Sequence, residues 1–363
     1  MYYLSFSTKS MGFTNQIFAL LNGISHAIEN NCQIIVIDKF LCDYSKNKYE
    51  NISKILDLDK MNIFFKQEYN LILVDKENFD FELLNVTYGT QDNVFDITQN
   101  VKDKYFVNNK LFISKNTNFN NIQGDPCIGV AKYIWFKYKL NNNTITDKYT
   151  EILDKDIDYT NKNYIKCSTM GWPSNKAGKW DSSLGKCPGE PTPYFLDILT
   201  NIFYNNQFID ISKKQLSNVI LTNKVNLIHL RLEDDAIIHW SKMNKMSKGN
   251  FKKKLENKYI QLIKEYIDKK DITILLSSSF DNKIIDFLNT NQYNYFTSKK
   301  SFEYRELNAI VDFLISKECN NVFIGNFNLN GKNGSTFSYY IYETLHQKNI
   351  SYKYIDLDHI LQI

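Results

Sequence analysis

From Val225 onward the sequence alternates strand-length apolar runs with helix-length amphipathic segments, and this constrains the fold more than any other feature. Runs at Val225–Arg231, Ile272–Ser277, Tyr293–Thr297, Asn321–Ile324 and Ser351–Ile355 flank helical periodicity at Phe251–Lys269, Asn282–Leu288, Phe302–Ser316 and Thr336–Gln347. Strand–helix–strand repeats of this kind predict a doubly wound parallel sheet with right-handed crossovers. The N-terminus opens in the same way. Tyr2–Phe6 reads as a buried strand, STKSMGFTNQ as a glycine-containing loop, and IFALLNGISHAIEN as an amphipathic helix, followed by a second strand at Cys32–Asp38. A chain of 363 residues is long for one core. The expectation is α/β, with two Rossmann-like domains facing a central cleft: an N-terminal domain over 1–210 with irregular insertions, and a C-terminal nucleotide-binding domain over 211–363.

The middle of the chain is less regular. Phe40–Asn163 mixes apolar pieces with Asn-rich stretches and reads as α/β with insertions. Lys166–Tyr194 concentrates prolines and carries Trp172 and Trp180, which either stack on a sugar or peptide acceptor or pin the loop to the body. A helix over Tyr194–Tyr204 and a polar linker over Asp210–Lys224 lead into the regular half.

Scattered lysines and a net charge of +4 lack the concentrated basic face that nucleic acid requires, so no nucleic-acid partner is expected. The cysteines show no metal-ligand spacing, and no metal or cofactor is expected from them. Cys167 and Cys187 could bridge the ends of their loop in an oxidising compartment. No apolar run spans a bilayer and no secretory leader is legible, so the chain as given reads as cytoplasmic.

Chemistry concentrates at three predicted strand ends. His229 and Arg231 close the strand at Val225–Arg231, and Glu233, Asp234 and Asp235 follow. Ligands of open α/β sheets sit outside the carboxyl ends of strands, so an imidazole and a guanidinium there suit an anion; alternatively they pair with the acids beside them. Asn15 stands at a helix start, either near a bound anion or as a simple N-cap. Ser335 and Thr336, after Gly325, begin another helix that either cradles phosphate or is merely capped. Together the three loops suit a nucleotide diphosphate held in a cleft.

The ordered blocks GFTNQ (Gly12–Gln16), HLRLEDD (His229–Asp235) and ELNAIVDFLISKECNNVFIGN followed by GSTFS resemble the GDP-fucose-dependent fucosyltransferase superfamily, which groups protein O-fucosyltransferases with α1,2- and α1,6-fucosyltransferases. The resemblance implies a GT-B fold and inverting, metal-independent transfer of fucose from GDP-fucose to a hydroxyl of a glycan or protein acceptor. It implies that Arg231 neutralises the departing β-phosphate and that Asn15 bonds near it. His229 and Asp312 would hold the nucleoside, Ser335, Thr336 and Phe337 would contact phosphate and base, and Gly12 and Phe13 would shape the donor loop. Residues 45–204 have no counterpart in the resemblance, and Thr336 stands where the family usually has a second Ser. Among candidate general bases are Glu233, Asp234 and Asp235, each of which also has a structural reading. Asp356 and Asp358 form a DxD pair, but beside the C-terminus, where a metal role is not expected. A GT-B enzyme using another nucleotide sugar, and a non-catalytic glycan- or nucleotide-binding protein, are the alternatives.

Overall fold

The computed structural model describes residues 2–6, 12–29, 31, 34–37, 39–43, 45–76, 81–107, 110–140, 143–154, 157–158, 164–167, 194–217, 219, 224–278, 282–327 and 334–357. Trp172, Trp180, Cys187 and Asp358 lie outside them.

The first half begins with β1 (Tyr2–Phe6), α1 (Phe13–Glu29) and β2 (Ile34–Ile37), continues through a hairpin of β3 (Phe40–Asp43) and β4 (Lys48–Glu50), and then α2 (Leu58–Tyr69) and β5 (Ile72–Asp75). A largely β stretch follows: β6 (Phe81–Gly89), β7 (Val94–Asp96), α3 (Thr98–Tyr105), β8 (Phe106–Val107), β9 (Lys110–Ile113), α4 (Asn120–Gln123), β10 (Tyr133–Leu140), β11 (Asn143–Thr150) and β12 (Ile157–Asp158). Strand β13 (Tyr164–Cys167) and helices α5 (Phe195–Thr200) and α6 (Asn206–Leu216) complete this half. Strands β13, β1, β2 and β5 form a parallel sheet in that order.

Strand alternation decides what covers this sheet. Ile35, Ile37 and Leu73 point into one core with α1 and α2, while Ile34, Val36, Ile72 and Val74 point into another built with β6, β9 and β10. Antiparallel β structure therefore covers the face where a doubly wound fold usually places helices. Much of Phe40–Asn163 is thus antiparallel sheet rather than α/β.

In the second half come β14 (Val225–Leu230), α7 (Asp234–Met243), α8 (Lys248–Tyr266), β15 (Ile272–Ser277), α9 (Lys283–Thr290), β16 (Tyr295–Thr297), α10 (Arg305–Ser316), β17 (Val322–Gly325), α11 (Thr336–His346) and β18 (Ser351–Tyr354). The sheet is parallel, in the order β16-β15-β14-β17-β18. Helices α7, α8 and α9 cover its outer face; α10 and α11 face inward and share one core with α1, α2 and α5. Mixed α/β architecture on two parallel sheets, as the sequence predicts, is the result.

Two stretches differ from expectation. The polar linker is helix α6 as far as Leu216: Phe208 is fully buried against Phe302, with ring centroids 5.2 Å apart, and the polar face points outward. The acids after Arg231 also start a helix, α7, with Asp234 and Asp235 in its first turn, where the helix dipole favours carboxylates. No helix among the described residues is long and apolar enough to cross a membrane.

Candidate functional site

The chain runs outward from β14 through β15 to β16, then returns to add β17 and β18 on the other side of β14. The winding direction therefore reverses between β14 and β17, and the loops leaving these strands diverge to open a crevice at their carboxyl ends. The N-terminus of α1 approaches the same place from the first half. Between them lies a cavity of about 970 Å³ lined by Gly12, Phe13, Asn15, His229, Arg231, Glu233, Asp312, Ser335, Thr336 and Phe337, among others.

Period-two alternation along β14 aims its side chains. Val225 and Leu227 belong to the inner core, Ile228 and Leu230 to the outer one, so His229 emerges on the inner side, above α11. Its Nδ1 lies 2.6 Å from Ser338 Oγ, its ring packs edge-on to Phe337 at 5.0 Å, and its carbonyl accepts the Tyr259 hydroxyl at 2.8 Å. Burial, with the nearby Arg231 charge, pushes its pKa down to about 3. His229 is therefore a neutral imidazole at physiological pH, contributing hydrogen bonding to the cavity rather than charge.

Arg231 stands two residues further on and is 21% exposed. One terminal nitrogen is 2.9 Å from Glu233 Oε1 and the other 2.9 Å from Asp235 Oδ2. Ser278, just beyond β15, donates its hydroxyl to the same Glu233 oxygen. The pairing with neighbouring acids that the sequence offers as an alternative is present, and the guanidinium also lines the cavity. Asp234 does not join them. It is 79% exposed, pairs with Lys248 at 2.8 Å and lies outside the cavity lining.

The third loop is fixed at its neck. Phe327 bridges Gly334, whose φ of +106° and close approach to Phe327 leave no space for a Cβ, which would fall 2.7 Å from the Phe327 Cα. Asn326 accepts the Ser335 N–H at 2.8 Å, and Ser335 Oγ accepts the Ser338 N–H, so Ser335 is the N-cap of α11. This turns the first turn of α11, with Thr336 and Phe337, toward the cavity.

At α1 the arrangement is not the one the sequence suggests. The helix begins at Phe13, so Asn15 sits inside its first turn, lining the cavity, and is not the N-cap. The Phe13 amide donates to Glu306 Oε2 from α10, so one amide of this N-terminus already has a carboxylate partner. The Phe13 ring is 1% exposed, within about 6 Å of Phe40, Tyr204, Phe313, Phe337 and Tyr340, so it shapes the loop as a core residue. Gln16 turns away: its amide takes both backbone groups of Leu41, at 2.8 and 2.9 Å, and so holds the β3–β4 hairpin beside the cavity. From that hairpin Asp43 and Lys46 reach the mouth, and Lys46 Nζ meets Glu303 Oε1 of the other half at 2.6 Å. Asp312, half-buried on α10, accepts the Ser298 hydroxyl, and burial pushes its pKa up to about 6.

Sequence reasoning passed over several wall residues: Lys46, Ser278, Ser298, Lys299, Lys300, Arg305, Glu306 and, behind His229, Ser338. Lys299 and Lys300 lie just past β16, after Ser298, so the strand-end rule that points to Arg231 points to them as well. Glu306 opens the ELNAIVDF block and carries no motif signal of its own. Trp172 and Trp180 are not placed, and among the described residues no cluster of His, Cys, Asp and Glu could hold a metal ion.

No protein-family model matches the chain. A curated protein of Acanthamoeba polyphaga mimivirus named as an AAA family ATPase is 28% identical over 188 residues, which are 51% of this chain and 20% of that protein. The chain thus spans about a fifth of the length of the curated relative it matches. Among solved structures it is similar to the apo form of POFUT1 at a TM-score of 0.48 and 11% identity, covering 98% of this chain and 97% of that one. It is also similar to POFUT1 in complex with GDP-fucose, with the same scores and coverage, and to a complex with GDP at 0.47 and 12%, covering 98% of each chain. At these scores the description of the fold rests on the two sheets themselves.

Proposed function

We propose that the protein is a glycosyltransferase that moves fucose from GDP-fucose to a hydroxyl of a glycan or protein acceptor, with inversion and without a metal ion. The observation that carries this reading is the convergence, on one cavity at the β14/β17 reversal, of the three blocks that resemble the fucosyltransferase superfamily. Negative charge builds on the departing diphosphate as its bond to the sugar breaks, so a preorganised guanidinium acts on the transition state more than on the bound donor. In this reading Glu233, itself held by Ser278, fixes the plane of the Arg231 fork, and the guanidinium's other N–H donors meet the diphosphate. The first turn of α11 supplies further donors, and neutral His229 and Asp312 hold the nucleoside. Asp234, outside the cavity, is not retained as a catalytic candidate.

An ATP-hydrolysing reading, prompted by the mimivirus relative, finds less support. Each Gly-Lys pair in the chain, at Gly178, Gly185 and Gly331, lacks the following Ser or Thr of a P-loop.

Thermal shift with GDP, UDP, dTDP and ATP tests the donor class, since a ligand stabilises only the state it binds. GDP is expected to raise the melting temperature most, and a larger shift with UDP or ATP would overturn the assignment. Release of GDP from GDP-fucose in the presence of EDTA then tests transfer without a metal. Arg231→Ala and Arg231→Lys are both expected to lose that activity, because an ammonium cannot reproduce the planar fork.

A further inference from the structure

Glu306 is buried where a carboxylate is costly to keep. It lies in the first turn of α10, is 8% exposed and forms part of the cavity wall. Its Oε2 accepts the neutral Phe13 amide, while Oε1 has a loose partner in Arg305 Nε at 3.7 Å, a side chain that is itself 65% exposed. Burying a carboxylate costs several kcal/mol unless a close ion pair offsets it. A buried acid retained on a cavity wall points to use in the cavity.

The surroundings fit a proton acceptor. Burial pushes the Glu306 carboxyl above the usual carboxylate range, against the pull of Arg305, the Phe13 amide and Arg231. The charged and titratable groups facing it are Arg305 on its own helix, Cys42 and Asp43 on the hairpin, and Arg231 at the end of β14. The other carboxylates on the wall each hold a partner through one oxygen or more: Glu233 Oε1 takes Arg231 and Ser278 while its Oε2 is buried without a partner, Asp235 serves Arg231, Asp312 takes Ser298, Glu303 takes Lys46, and Asp43 accepts from Ser45 and the Lys46 amide.

We propose that Glu306 is the general base of the transfer, a role that rests on the glycosyltransferase reading above. Its carboxylate takes the proton of the acceptor hydroxyl as that oxygen bonds to the anomeric carbon. The bond from that carbon to the diphosphate oxygen breaks, and its electron pair leaves on the diphosphate beside Arg231. A general base of this kind contributes about 100-fold or more to the rate.

The test uses the full chain, GDP-fucose and water as the acceptor, and reads GDP release. In Glu306→Gln the amide oxygen still accepts the Phe13 N–H, so the melting temperature and the stabilisation by GDP stay close to wild type. GDP release falls about 100-fold or more, the acidic limb of the wild-type pH–rate profile disappears, and azide, a nucleophile with no proton to lose, restores release and forms fucosyl azide. The proposal is overturned if the variant turns over at the wild-type rate, if azide fails to restore release, or if stability and GDP binding collapse together as a purely structural cap would require. The wild-type profile tests it without any variant, because absence of an acidic limb also excludes a carboxylate base. If wild type is neither stabilised by GDP nor able to turn over GDP-fucose, the transferase reading falls and this role with it. If wild type does both and Glu306→Gln is indifferent, this role alone falls.

Discussion

Arg231 enters the cavity already committed to two carboxylates, so the trio it forms with Glu233 and Asp235 carries a net negative charge before any ligand arrives. The two acids are not equivalent. Glu233 is 23% exposed and also held by Ser278, whereas Asp235 is 67% exposed and holds Arg231 at its outer edge. An exposed ion pair adds little to stability, but its carboxylate still opposes a diphosphate bound to the same guanidinium. Asp235→Asn is therefore expected to leave stability within about 0.5 kcal/mol and to tighten GDP several-fold, as read by calorimetric titration; weaker binding would show that Asp235 orients the fork. Asp312 gives a prediction whose sign follows from linkage. Its pKa is 3.8 ordinarily and about 6 in the folded chain, so the folded state holds the proton more tightly. That stabilisation is complete below the lower value and is lost as pH rises through the upper one. At pH 8 the ionised carboxylate costs on the order of 3 kcal/mol. Asp312→Asn, which can still accept from Ser298, is expected to raise the urea midpoint at pH 8, with the gain shrinking by pH 5. A gain independent of pH would rule out titration as its source.

At the scale of elements, the cavity depends on short contacts that hold loops to helices. Gln16 illustrates this: one buried amide satisfies both backbone groups of Leu41. Gln16→Leu would leave those groups unpaired at about 1–3 kcal/mol each. The expected result is a lower melting temperature together with faster hydrogen exchange confined to residues 40–50; uniform destabilisation would indicate that the hairpin is held elsewhere. Much of the second half was legible because its central strands are buried on both faces and its helices keep their period, so β14, β15, β17, α8 and α11 fall close to their expected places. What was not legible has specific physical causes. Helix α7 starts within a run of acids, and the same residues that suggest chemistry also favour a helix N-terminus. Helix α10 starts three residues later than its periodicity suggests, because the Asn308 amide binds the backbone of Ser301, Phe302 and Tyr304 and draws them into a turn. Of the site, Arg231 and the α11 start could be found from strand ends. Glu306 could not, since its meaning comes from Phe13, whose amide it meets across 293 positions of sequence.

On the scale of the whole molecule, the two parallel sheets share one core. Phe13 touches Phe40 and Tyr204 of the first half and Phe313, Phe337 and Tyr340 of the second. Phe313 and Tyr340 stack at 4.1 Å, and the hydroxyls of Tyr204 and Tyr340 meet at 2.9 Å. A cavity bounded by both halves keeps its shape only while this layer stays packed, so the aromatic cluster serves the site as well as stability. The antiparallel structure on the far side of the first sheet has a separate core, which includes Val86, Tyr88, Phe119 and Phe136. Phe13→Ala should therefore cost about 3–5 kcal/mol, and the loss should be felt in both halves at once. Hydrogen exchange followed by mass spectrometry checks this. Protection is expected to fall together in β2 and β14, while β10 and β11, which pair along their whole length, retain more of theirs. Loss in β2 alone, with β14 unchanged, would mean that the halves unfold independently and that the cavity is held by its loops rather than by the shared core.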